Sequence, residues 1–235
     1  FKVIIHVGHN SIKTAQELAK HALRIGANSI GAIAPIFFKP ENLDALVRYN
    51  ALIAESAPDL PYFYYHLPAM SGVNFPMIEF LKAADEKISN LAGIKFTHND
   101  FMDMKLCLDY ADKKYTILQG HDEMLLSGLV LGIQAAIGST YNYMAPLYLK
   151  MIEAFRGSDL ELANGLQLTT AKIIRVLINY GGGVKAGKSI MRLAGLDCGP
   201  PRLPVKSLKP SEERQLQMEL EALRFQDYCI DFSMA

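Results

Sequence analysis

Gly93-Ile94-Lys95-Phe96-Thr97 is the stretch on which the fold turns. An apolar segment, Leu91, Ala92 and Ile94, runs into Lys95 and then into the polar loop Thr97-His98-Asn99-Asp100. The pattern predicts a short strand that carries an amine out of a hydrophobic layer at its carboxyl end. An amine in such a place is poorly hydrated, and desolvation favours the free, nucleophilic form that a Schiff-base lysine needs. A lysine at a strand end also has a plainer reading, as a solvated edge or an ion-pair residue. The surrounding chain separates the two.

Outward from Lys95, strand and helix alternate. Toward the amino terminus, residues 3–7 read as a strand already under way, and 11–25 as an amphipathic helix capped by Asn10 or Ser11. Residues 28–34 follow as a strand ended by Pro35, and 40–57 as a helix with Pro40 suited to its first turn. Residues 62–65 are a strand and 76–90 a helix. Beyond Lys95 come a helix over 101–110, a strand over 115–119, a helix over 124–131, a strand over 135–137 and a helix over 143–155. A strand-helix repeat of this kind implies parallel strands with crossover helices. After Gly157 only helices are predicted, over 160–180, 185–196 and 211–223, with Gly199-Pro200-Pro201-Arg202-Leu203-Pro204 as an extended connector.

Six βα units are two short of a (β/α)8 barrel. Either the sheet is open with six strands, or it is a barrel whose first two units are absent; a chain that starts inside a strand favours the second.

Composition removes several classes of function. Half of the 235 residues are hydrophobic, enough for a sizeable core, and 24 basic residues balance 24 acidic ones. Without a basic run, neither nucleic acid nor an anionic membrane is expected as a partner. No apolar run is long enough to span a bilayer. Cys107, Cys198 and Cys229 are scattered without C-x-x-C spacing, which suggests reduced thiols in a cytosolic-type compartment. The histidines show no H-E-x-x-H spacing, so no metal is expected.

In a barrel the reacting groups sit at the carboxyl ends of the strands. Those positions hold Gly8-His9-Asn10, Pro35, Tyr65, Lys95 with Thr97, Gly120-His121-Asp122-Glu123 and Gly138-Ser139-Thr140. A phenol, an amine, two carboxylates and several hydroxyls suit carbonyl chemistry on a hydroxylated substrate. Each also has a structural reading. Tyr65 belongs to the aromatic run Tyr62-Phe63-Tyr64-Tyr65, which could be core. Asp122, Glu123 or Ser139 could cap the helices that follow them.

Tyr65-His66-Leu67-Pro68-Ala69-Met70-Ser71-Gly72-Val73, Gly93-Ile94-Lys95-Phe96-Thr97, Gly120-His121-Asp122-Glu123 and Gly138-Ser139-Thr140-Tyr141-Asn142 occur in that order. Together they resemble the N-acetylneuraminate lyase (sialic acid aldolase) family of pyruvate-dependent class I aldolases, related to dihydrodipicolinate synthase. The resemblance runs from Val3 through residues 199–204. It implies a (β/α)8 TIM barrel lacking its first two βα units (residues 1–156 holding units three to eight), followed by a three-helix extension over 157–235. It implies Lys95 as imine-forming lysine, Tyr65 beside the substrate carboxylate as proton relay, and Thr97, Gly120, Asp122, Glu123 and Ser139 around the sugar. Sialic acid, pyruvate and N-acetylmannosamine would be the ligands, with no cofactor, in a cytoplasmic homotetramer.

Synthase relatives usually carry an arginine after the turn that follows the tyrosine strand. Here Pro68-Ala69-Met70-Ser71 offers no cation, and Asp122-Glu123 offers acceptors for a polyhydroxy chain, so a lyase is preferred to a synthase or another pyruvate-dependent aldolase. The family's Gly-x-Thr/Ser-Gly-Glu loop, which binds the pyruvyl carboxylate, has no counterpart in these residues. Two readings from other classes remain. Gly182-Gly183-Val184-Lys185-Ala186-Gly187-Lys188-Ser189 fits G-x-x-x-x-G-K-[ST] of phosphate-binding loops, although the preceding segment has helical spacing and only 46 residues follow. Alternatively, a barrel without two units could be a non-catalytic subunit.

Overall fold

Residues at alternating depth build the sheet. In the computed structural model, which describes residues 2–232, six strands form one parallel sheet. They are β1 (Ile4–His6), β2 (Ser29–Ile33), β3 (Tyr62–His66), β4 (Leu91–Phe96), β5 (Thr116–Gln119) and β6 (Ala135–Ala136), hydrogen-bonded in that order. A doubly wound sheet reverses its strand order at a switch point; this one does not. Crossovers between parallel strands are right-handed, so a sheet that grows in one direction keeps its helices on one face. Burial follows: on β3, Tyr62, Tyr64 and His66 are buried, whereas Phe63 and Tyr65 on the other face are only half-buried. Phe1 of the predicted barrel region and residues 233–235 of the predicted extension lie outside the described residues.

The helices are α1 (Ile12–Arg24), α2 (Leu43–Ala54), the single turn α3 (Pro68–Ser71), α4 (Met77–Ala84), α5 (Phe101–Asp109), α6 (Leu125–Leu131), α7 (Tyr141–Arg156), α8 (Leu160–Asn179), α9 (Gly182–Leu193) and α10 (Pro210–Ala222). Leu46 and Ile53 of α2, Met77, Phe80 and Leu81 of α4, and Met104 of α5 are fully buried, as are Ile30, Ile94 and Phe96 of the sheet. Burying each such side chain stabilises the fold by about 1.5–3 kcal/mol.

Caps set the bounds. Ser11, not Asn10, caps α1, its hydroxyl accepting from Thr14 N–H. Asn10 Oδ1 instead accepts from Ile36 N–H at 3.0 Å. The helix expected from Pro40 starts at Leu43, because Asn42 Oδ1 accepts from Ala45 N–H at 2.9 Å. The helix expected over 76–90 ends at Ala84, where Asp85 turns to bond Lys114 and the Tyr115 hydroxyl. Its start is capped from another helix: Met77 and Ile78 N–H donate to the Asp103 carboxylate at 2.6 and 2.9 Å.

The chain forms two compact units. One comprises Phe1–Gly120 and Leu131–Ala136, and so contains the whole sheet. The other comprises His121–Val130 and Ile137–Ala235. In the second unit, the segment that fits the phosphate-loop pattern follows helix α8 and forms the start of α9. Its Lys188 donates to the Cys198 carbonyl at 2.7 Å and its Ser189 to Glu213 at 2.7 Å. A phosphate loop needs a strand before it; a helix stands there instead. Among the described residues, no helix is long and apolar enough to cross a membrane.

Candidate active site

In the first unit, strand register decides which side chains meet. Ile33, Tyr65, Lys95 and Leu118 are partners across β2 to β5, and in-register residues of a parallel sheet share a face. Lys95 is half-buried between buried Ile94 and Phe96. Its Nζ stands 3.9 Å from the centroid of the Tyr65 ring. The edge of the His6 ring faces Tyr65 at 6.4 Å, and His6 Nε2 accepts from Ile33 N–H at 3.2 Å. Burial, and after it the charge of Lys95, lowers the His6 pKa, so this imidazole is neutral at pH 7. The result is one amine, one phenol and one imidazole on one sheet face.

Thr97 and Gly120 continue the ladder one step past β4 and β5. Thr97 N–H donates to His66 O and Gly120 N–H to Phe96 O, both at 2.9 Å. The two residues touch: a Cβ at 120 would stand 1.8 Å from Thr97 Oγ1. Thr97 Oγ1 is buried and has no hydrogen-bond partner among the described residues. An unanswered hydroxyl at a strand end is a group that a ligand can satisfy.

On the helix-covered face, His66 is fully buried, and neither ring nitrogen has a partner among the described residues. The His98 ring packs edge-on against it at 5.3 Å. Burial, then His98, pushes the His66 pKa down to about 3, with Asp100 opposing.

The second unit holds Asp122, Glu123 and Ser139. Asp122 is buried, and its Oδ2 accepts from both the N–H and the hydroxyl of Thr140, at 2.9 and 2.6 Å. That bond reaches 18 residues along the chain and is not a cap of the helix that follows Asp122. Nor does Ser139 cap α7: Thr140 holds that position. Ser139 is exposed, and its carbonyl accepts from Asn142 Nδ2 at 2.8 Å. Glu123 has a half-buried side chain, and Gln167 Nε2 fixes its carbonyl at 2.7 Å. Lys95 thus meets Tyr65, Thr97 meets Gly120, and Asp122 meets Thr140. Among the described residues no group of three or more His, Cys, Asp or Glu side chains could hold a metal ion.

Sequence reasoning missed His6 and the part played by Thr140. His6 closes a strand of three residues, too short for its face to be read. Thr140 was visible only as one of several strand-end hydroxyls.

Residues 1–223 match the family described as Dihydrodipicolinate synthetase. The chain belongs to that family. Among curated relatives, an N-acetylneuraminate lyase of Mus musculus is 42% identical over 95% of this chain and 71% of its own length. Among solved structures, Proteus mirabilis N-acetylneuraminate lyase superposes with a TM-score of 0.92 at 42% identity, covering 96% of this chain and 76% of that one. A Ruminococcus gnavus sialic acid aldolase catalytic lysine mutant superposes at 0.87 with 28% identity, covering 97% and 75%. Proteins named lyase or aldolase thus share the fold of this chain over nearly all of its length.

Proposed function

We propose that this family member is a carbon–carbon lyase that cleaves N-acetylneuraminate to N-acetylmannosamine and pyruvate, reversibly, through an imine on Lys95. The observation that carries the reading is the placement of the Lys95 amine 3.9 Å from the Tyr65 ring, at register-matched ends of adjacent strands. The lyase relatives support the substrate class.

In this reading the Lys95 amine attacks the C2 ketone of the open-chain sugar acid, and the Tyr65 phenol gives its proton to the departing hydroxyl, which leaves as water, so that the imine is protonated and Tyr65 is left as the phenolate. Tyr65 accepts the proton of the C4 hydroxyl, and the C3–C4 bond breaks. Its electron pair passes into the imine as an enamine, while C4 becomes the aldehyde of N-acetylmannosamine. Protonation at C3 and hydrolysis release pyruvate and restore the amine. The imine is itself the electron sink, so the reading calls for no metal or organic cofactor. Thr97, Gly120, Asp122, Glu123 and Ser139 hold the sugar, with the unanswered Thr97 hydroxyl as one contact.

The same proposal reads the six βα units as the third to eighth of an eight-unit barrel, with residues 1–156 as barrel and 157–235 as helical extension. Coverage of 71% of the mouse relative and 76% of the Proteus chain supports it, as do the three helices α8 to α10 in series. A cytoplasmic homotetramer completes the proposal.

Pyruvate release from N-acetylneuraminate by the full-length protein tests the function, with condensation of pyruvate and aspartate semialdehyde as the comparison. Release from the sugar acid with a kcat/KM at least tenfold above that for the condensation is expected. The reverse order would assign the protein to the synthase branch.

A further inference from the structure

A carboxylate meant to receive hydroxyl groups must not rotate, and Asp122 is held against rotation. Thr140 aims its backbone N–H and its hydroxyl at one oxygen, Oδ2, at 2.9 and 2.6 Å. Behind that hydroxyl stands Tyr148 of α7, its phenolic oxygen 2.5 Å from Thr140 Oγ1. Asp122, Thr140 and Tyr148 are all buried. On the other side, Gly138 lies so close that a Cβ there would fall 1.4 Å from Asp122 Oδ1. The start of α7 also directs its positive end toward the acid.

The direction of the chain of bonds follows from counting hydrogens. Oδ2 accepts two donors, so it carries no proton itself. The single hydroxyl hydrogen of Thr140 is therefore used on Asp122. The bond between Tyr148 and Thr140 must then be donated by the phenol. Burial pushes the Tyr148 pKa up, so that proton is present at any working pH. A phenol donating to a hydroxyl that donates to a carboxylate is a polarised series, in which each bond strengthens the next. The Tyr141 ring, packed edge-on against Tyr148 at 4.4 Å, holds the far end of the series.

We propose that Tyr148 and Thr140 are positioning residues that orient the Asp122 carboxylate toward the hydroxyls of the sugar, and so favour polyhydroxy substrates over short aldehydes. The inference rests on the lyase reading above and deepens it. In this inference both residues act on the sugar end of the substrate through Asp122, so pyruvate capture on Lys95 should be independent of them.

The test uses Thr140→Val, Thr140→Ser and Tyr148→Phe in the full-length protein, with steady-state cleavage of N-acetylneuraminate and borohydride trapping of pyruvate measured side by side. Thr140→Val removes a charge-assisted donor and should raise KM about 10-fold to 100-fold, with a smaller change in kcat and with trapping unchanged. Tyr148→Phe removes a neutral donor one step further away and should raise KM about 3-fold to 10-fold. Thr140→Ser keeps both donors and should restore a KM within about 3-fold of the parent. An unchanged KM in Thr140→Val and Tyr148→Phe would overturn the inference. So would a Thr140→Ser as impaired as Thr140→Val, or an equal loss of trapping and cleavage, which marks a general packing defect. If the parent protein itself traps no pyruvate, the lyase reading fails, and this inference with it.

Discussion

Lys95 and Tyr65 are the residues whose chemistry the sequence exposes most openly. An apolar segment that ends in a lysine and a polar loop can be read without any structure. What cannot be read is that Tyr65 is the in-register neighbour of Lys95, since register arises between strands that are 30 residues apart in position. Tyr65→Phe keeps the ring beneath the amine and removes only the hydroxyl. Cleavage should fall by about 10²–10⁴, the range for a positioned acid–base group, while pyruvate trapping persists. A near-normal kcat would return Tyr65 to the core of the sheet. Gly120 makes a second prediction at this scale. A Cβ at 120 would press on Thr97 Oγ1 and Cβ and approach Phe96 O. Gly120→Ala should therefore cost about 1–3 kcal/mol, as overpacking does, measured as a lower urea midpoint. It should also raise KM, because Thr97 must move.

The elements were legible where local signals fix them and less so where a distant residue does. The apolar spacing of α8 and α10 is plain in the sequence. The cap of α4 is not, because Asp103 supplies it from α5. The clasp between Asp122 and Thr140 is hidden for the same reason: nothing in either segment marks the other as its partner. At the end of β3, His66 ties the element to pH. Its folded-state pKa is near 3, against about 6.5 for a free imidazole. Between those values the unfolded chain binds a proton that the folded chain refuses. Stability therefore falls as pH drops through this window, by up to about 1.4 kcal/mol per pH unit from this one group. Below about pH 3 both states are protonated and the loss levels off. Denaturant titrations from pH 7 to pH 4 should show this slope, and His66→Leu should lack that part of it. Parallel curves for the two proteins would contradict the assignment.

For the whole molecule, the alternation of strands and helices and the helix-only tail were visible in the residues, whereas the sequential strand order came only with the barrel that the family resemblance implies. Sequential order fixes which face of the sheet the helices cover, and hence which face carries Lys95. It also leaves β1 and β6 as the two edges of the sheet, each with backbone groups able to pair with another chain. The 235 residues produced on their own should therefore associate, eluting from size exclusion as multimers or aggregates. A monomeric preparation would contradict this. The imine on Lys95 can be read directly. Borohydride is added to the full-length protein with pyruvate, and the digested peptides are weighed by mass spectrometry. One reduced pyruvyl adduct is expected, on Lys95, and none in Lys95→Arg, whose guanidinium stays protonated and cannot act as the nucleophile. An adduct on another lysine, or no adduct at all, would contradict it.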